Sequence, residues 1–320
     1  MASSTKVVLA ALFANGAIAV LKFIGFTLTG SPAMLSETYH SISDTGNQVF
    51  LLIGIRYGAQ EANRSHPFGH GKAQFFYSFL VSIMLFGIAG WESAKHGYQA
   101  LQEGEVHRAS EPVPILGASV DPIYINYAVL IGAIVFETYA FWKAYQGITA
   151  QMDEHGWETL REAFRKTSDV TTLTALTEDA IALAGAGIAL FGIYLSRTFE
   201  NPIYDAGAAL VIGILLMGFA VALAWENKRL ILGESLPEPA EDELRDIIAD
   251  WDGVVDLVDF RTVYFGPEEL LVTADVAFDP TLDTETIDDR ITDIEDALRE
   301  HDGQIQRVYI EPEMAGPGSS

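Results

Sequence analysis

Six apolar runs, residues 7–29, 33–56, 75–100, 123–145, 170–195 and 202–225, are each long enough to cross about 30 Å of hydrocarbon as a helix. In lipid every backbone amide must find its partner inside the protein, so runs of this length predict a helical membrane domain with six transmembrane helices. Mean hydropathy of +0.21, with 49 % apolar residues, agrees. The first run follows Lys6 and contains Ala17, Ile18 and Ala19, the pattern of a cleaved signal, but stays apolar as far as Thr29 and therefore reads as a span. Lysine and arginine placement orients the bundle. With alternating spans, ten of these residues, from Lys6 to Arg229, fall on one side, against Lys95, Arg108 and Arg197 on the other. Both termini are thus expected in the cytoplasm of a cell-membrane, multi-pass protein.

Between the fourth and fifth runs, Trp157, Leu160 and Phe164 recur at helical spacing among charged residues, the mark of a short helix lying on the inner surface. After residue 233 the texture becomes that of a soluble domain. A helix starting at Pro239 puts Leu244, Ile247, Ile248 and Trp251 on one face; a strand over 254–265 follows, then a turn at Gly266 and Pro267 and a strand in which Leu270, Val272, Ala274, Val276 and Phe278 alternate. A second helix carries Ile287, Ile291, Ile294 and Leu298, before a last strand through Val308 and Ile310. The order αββαβ predicts a ferredoxin-like α+β domain. The expected division is therefore 1–233 for the six-span transport domain, 234–313 for a cytoplasmic ferredoxin-like dimerisation domain, and 314–320 for a disordered tail.

The formal charge of −25 is unevenly placed: residues 234–320 hold 25 acidic and 5 basic side chains and no lysine. A domain so acidic repels itself at low salt, which points to a halophilic source. No nucleic-acid partner is expected. With no cysteine, disulfides and zinc-thiolate sites are excluded, so any metal is held by nitrogen and oxygen.

The second run breaks its own apolar pattern at His40 and Asp44. Four residues apart on a helix, they sit about 40° apart around the axis and about 6 Å along it, so both can face one point. A carboxylate at mid-bilayer costs roughly 3 kcal/mol on insertion scales, and such groups mark ion or proton pathways. Glu178 and Asp179 in the fifth run fall near the same depth. His40, Asp44 and Asp179 are thus the predicted primary ligands of a cation between two helices; imidazole with carboxylates suits Zn²⁺, and more oxygen character favours Mn²⁺, with Fe²⁺ and Co²⁺ as other cargoes. Glu178 points about 100° away from Asp179, which leaves it either a ligand or part of a water-filled path. Asn47 shares the His40 face and serves as a ligand or as a helix-to-helix hydrogen bond. Glu137 and Lys22, buried by position, fit a proton pathway or a structural ion pair. In the loop after the second run, SHPFGHGK spaces His66 and His70 four apart, a candidate cytoplasmic entry site for metal or a structural pair.

FTLTGSPAMLSETYHSISDTGNQ, SHPFGHGK, TALTEDAIALAG and NPIYDAGAALVIG, together with the αββαβ domain, resemble the cation diffusion facilitator family, and most of all the branch of the mitochondrial zinc transporter counted ninth among those of humans. The resemblance implies a homodimer that exports a divalent metal in exchange for protons. It also implies two cargo ligands from the second span and two, four apart, from the fifth. His40, Asp44 and Asp179 match, but Ala175 stands where the remaining ligand is usual, as in that branch with its Glu-Asp pair. His70 instead matches the wider family. Of the histidines usual in the cytoplasmic domain only His301 is present, so no binuclear site is expected there.

The reading is a secondary transporter without cofactor, not an enzyme, that moves a divalent metal ion against protons across the lipid bilayer by alternating access. His40 takes up a proton as metal leaves. Two other classes fit the same residues: an intramembrane metal-dependent hydrolase with Glu178 as base, and a membrane metal sensor reporting through the acidic domain.

Overall fold

The structure, a computed structural model, describes residues 2–103, 112–115, 118–155, 159–160, 170–267 and 269–314. Six long helices come first: α1 (Ala2–Thr29), α2 (Pro32–Gly58), α3 (Lys72–Glu103), α4 (Ile123–His155), α5 (Val170–Thr198) and α6 (Ile203–Leu232). By length and apolarity α3 to α6 qualify to cross a membrane. In α1 the described apolar part is Asn15–Thr29, and α2 has Glu37, His40 and Asp44 along it, which dilutes its apolar character. Four of the six expected spans therefore meet that measure. Of the three residues of the expected surface helix, Trp157 and Phe164 lie outside the described residues, and Leu160 is exposed.

By its contacts the chain divides into two compact units, residues 1–52 with 78–225, and residues 53–77 with 226–320. In the first, α1 ends at Gly30, whose φ of 65° turns the chain and whose N–H bonds Phe26 O at 2.7 Å. Ser31 then caps α2: its Oγ accepts from Met34 N at 3.1 Å, with Pro32 in the first helical position. The cap is tied down from α6, because Asp205 Oδ1 accepts from Ser31 Oγ at 2.9 Å and from Ala33 N at 3.1 Å, all buried. The paired stretches SPAMLSETYH and NPIYDAGAAL thus meet physically. Midway along α3, Leu85–Trp91 is π-helical, and a Cβ on Gly90, Gly97 or Gly213 would strike the facing backbone, so α3 and α6 approach almost backbone to backbone. Met34, Leu85, Leu130, Ile193, Ile212 and Leu216 fill the core between the helices. A short hairpin, β1 (Val113–Ile115) with β2 (Ala118–Val120), precedes α4 and was not legible in the sequence.

In the second unit, α7 (Glu238–Ala249), β3 (Val254–Gly266), β4 (Glu269–Phe278), α8 (Thr284–His301) and β5 (Ile305–Glu313) follow the expected αββαβ order. The sheet is small and mixed, in the order β3-β4-β5, antiparallel on one side (Thr262 opposite Val272) and parallel on the other (Val272 opposite Val308). The parallel pair needs a crossover, which α8 supplies. Asp283 starts α8 by accepting from Thr286 N at 2.9 Å. Leu244, Ile248, Ile294 and Leu298 cover the sheet residues Phe260, Val272 and Val276. One detail differs from the sequence reading: α7 ends at Ala249, so Trp251 reaches that core from the following turn, not from the helix face.

Candidate metal centre

Buried polar side chains concentrate on α2. Ser36, Glu37, Thr38, His40, Ser41 and Ser43 are all buried, and Ser36 and Thr38 direct their hydroxyls to the backbone carbonyls one turn back. This local bonding satisfies the Ser36 and Thr38 hydroxyls within the helix itself. His40 is different. Its Nδ1 lies 3.5 Å from Asp44 Oδ1, and both ring nitrogens are buried without a hydrogen-bond partner. The helix repeat has set imidazole and carboxylate on one face, as their spacing predicts.

Across from α2, Glu178 of α5 accepts a hydrogen bond from Asn47 Nδ2 at 3.3 Å. Asn47 and Glu178 are therefore brought together, joining α2 to α5. Glu137 and Glu178 each feel the charges of Asp44 and Asp179, and Asp179 acts on Asp44. Among the described residues, however, no three histidine or carboxylate side chains close into a metal cage. His40 and Asp44 form a two-residue half-site, and Asp179 is not gathered onto it. Equal depth along two helices fixes height in the bilayer but not rotation about each axis.

Sequence reasoning overlooked Glu37. It is fully buried and meets Lys22 Nζ of α1 at 2.7 Å, so Lys22 pairs there. Two signals were available. Glu37 stands at i−3 from His40 and i−7 from Asp44, and Lys22 and Glu37 lie eight and seven residues either side of the Gly30 turn, where an antiparallel helix pair sets side chains beside each other.

In the second unit, the His66 and His70 rings are 4.3 Å apart, centroid to centroid. His70 is buried, with Nδ1 3.3 Å from Gln60 O and the Tyr57 ring edge-on at 5.3 Å. The loop folds on Asn63, whose Oδ1 accepts from Ser65 N at 2.9 Å and His66 N at 3.0 Å. Glu61, His70, Glu269 and Arg307 line a cavity of about 410 Å³. Burial raises Glu269 above the usual carboxylate range, and the Arg307 guanidinium opposes that shift. His301 sits apart from this loop, 3.4 Å from Glu243.

Residues 8–232 match the cation efflux transmembrane domain, and residues 236–315 match the cytoplasmic domain of cation efflux proteins. Similar proteins include the proton-coupled zinc antiporter SLC30A9, mitochondrial, of Homo sapiens, 28 % identical over 86 % of this chain and 46 % of its own length. Metal tolerance protein C4 of Arabidopsis thaliana is 26 % identical over 86 % of this chain and 57 % of its own. The cation-efflux pump FieF of Escherichia coli O127:H6 is 27 % identical over 83 % and 79 %. The chain spans about half the length of the first two of these relatives. With both domain matches covering nearly all of the helical bundle and the αββαβ domain, the chain belongs to the cation efflux family.

Proposed function

We propose that this protein exports a divalent metal cation, Zn²⁺ in the first place, in exchange for protons. The observation that carries the reading is His40: an imidazole buried in a helix bundle with both nitrogens unpartnered, 3.5 Å from a carboxylate on the same helix face. A buried polar group without a partner is costly unless something else satisfies it, and a borderline nitrogen beside a carboxylate oxygen is what zinc selects.

In this reading His40 and Asp44 hold the cargo from α2, and Asp179 completes the set when α5 turns toward α2. Asn47 and Glu178 hinge that movement, since their hydrogen bond links the two helices. Rocking of α2 and α5 against the other helices exposes the cargo to each side in turn. When the ion leaves, protons taken up by His40 and the neighbouring carboxylates replace its charge. Six spans, both termini in the cytoplasm of a cell membrane, and a homodimer joined through residues 234–313 complete the arrangement; the match to the family's cytoplasmic domain supports the last of these. His66 and His70 serve as the entry point for the ion, with Glu61 and Glu269, which line the cavity together with His70, as accessory oxygens.

The test is zinc flux into proteoliposomes carrying a pH-sensitive dye, with Mn²⁺, Fe²⁺ and Co²⁺ as competitors. Zinc uptake with opposite proton movement is expected. A chain that binds zinc and moves none refutes transport and leaves a hydrolase or a sensor.

A further inference from the structure

The face of α2 that carries His40 and Asp44 holds a further charged group with an unfilled valence. Glu37 precedes His40 by about 4.5 Å and Asp44 by about 10.5 Å along the helix axis. Its Oε2 meets Lys22 Nζ at 2.7 Å, and both side chains are almost wholly shielded, at 0 % and 2 % exposure. Its other oxygen, Oε1, is buried with no hydrogen-bond partner. That oxygen points at Gly185 of α5, where a Cβ would stand only 2.7 Å from it. The slot around Oε1 exists because residue 185 has no side chain. A pair kept only for packing gains from using both oxygens, since a buried acceptor left without a hydrogen bond is destabilising. Here one oxygen is held ready and the next polar group along the face, His40, has two ring nitrogens equally unpartnered.

We propose that Glu37 is a second cation station on the transport path, and that the Lys22 ammonium keeps the cargo's place there until the ion arrives. The proposal rests on the reading of His40 and Asp44 as cargo ligands. An ammonium and a divalent ion compete for the same carboxylate, and lysine, a compact charge on a flexible stem, swings aside without loss of the chain's packing. The ion then takes Oε1 and Oε2 together, and Lys22 returns when it departs. Lys22 thereby prevents Glu37 from trapping the ion, because the ammonium re-forms its bond as the metal leaves. Glycine at 185 is required for the bidentate hold, since a methyl group there occupies the place of Oε1.

Equilibrium binding of radioactive Zn²⁺ to the purified full-length chain in detergent tests this, alongside flux in proteoliposomes. Lys22→Gln is expected to bind one more zinc per chain than the wild type and to release it more slowly. Because a lone buried carboxylate can prevent assembly, Lys22→Gln/Glu37→Gln, which removes both charges, is the second variant. It is expected to bind the wild-type number of ions, with affinity within a few-fold, yet to transport about tenfold more slowly. Wild-type flux in the double variant overturns the station, as does an unchanged zinc count in an assembled Lys22→Gln chain. A wild-type chain that neither binds nor moves zinc overturns the transport reading itself, and the station with it.

Discussion

Asp205 anchors the start of α2, and its removal should be felt at the candidate metal centre two turns away. One carboxylate oxygen accepts from Ser31 Oγ at 2.9 Å and from Ala33 N at 3.1 Å, and Asp205 and Ser31 are 5 % and 3 % exposed, so water does not replace the lost contacts. Hydrogen bonds to a charged group contribute about 1.5–3 kcal/mol each, so the pair is worth about 3–6 kcal/mol. The lower end applies, because Ser31 still caps Met34 N after the change. For a unit of this size 1 kcal/mol moves the melting midpoint by about 2–4 °C, so Asp205→Ala should lower it by roughly 6–12 °C. Asp205→Asn keeps an acceptor oxygen and should fall between. Thermal unfolding in detergent, followed by tryptophan fluorescence or loss of the monodisperse peak, reads the shift. Arg197→Ala is the control: its partner Asp121, at 3.0 Å, is exposed, and such pairs contribute about 1 kcal/mol or less. The first turn of α2 sets where Glu37 and His40 point, so zinc flux should drop alongside. A midpoint for Asp205→Ala within that of Arg197→Ala would refute the anchoring role.

Three further outcomes follow from other parts of the molecule. His40→Asp exchanges a borderline nitrogen for a hard oxygen, so competition flux should shift from Zn²⁺ toward Mn²⁺; an unchanged metal order would remove His40 from the ligand set. Ile294, fully buried between α8 and the sheet, should destabilise the αββαβ domain by about 2–5 kcal/mol when cut to Ala, as read by urea unfolding. Residues 234–320, at 25 acidic to 5 basic side chains, should unfold at lower urea as salt is reduced, and a midpoint indifferent to salt would argue against a halophilic design.

What the sequence disclosed and what it withheld divide along physical lines. The αββαβ order was legible because Leu270, Val272, Ala274 and Val276 alternate while Ile287, Ile291, Ile294 and Leu298 recur every three to four residues, two periods that do not mimic each other. The break between α1 and α2 was legible as the gap between the first two apolar runs, which Gly30, Ser31 and Pro32 fill in the structure. The His40–Asp44 pair was legible because one helix fixes both partners. The tie from Asp205 to Ser31 joins residues 174 apart, and only the packed bundle decides it. The π-helical stretch Leu85–Trp91 leaves no sequence period of its own, and the approach of Asp179 to α2 depends on how α5 is rotated by its extensive packing against α4.

Charge balance explains why the bundle tolerates so many acids. Glu37 is met by Lys22, but Glu137 and Glu178 face the charges of Asp44 and Asp179 with no second ammonium in contact among the described ion pairs. Each such carboxylate at depth costs roughly 3 kcal/mol unless a positive charge offsets it. A divalent ion supplies that charge at once, and protons supply it piecemeal; a bundle holding neither is the costly state. For the transporter proposed above, movement between the two open faces would then be easiest with either metal or protons aboard, and hardest when the site is bare. In the exchange proposed above, that asymmetry would couple the two fluxes without a dedicated proton channel. It also places the coupling on the whole set of acids, so neutralising one of them, for example by Glu137→Gln, should loosen the exchange ratio before it abolishes zinc movement.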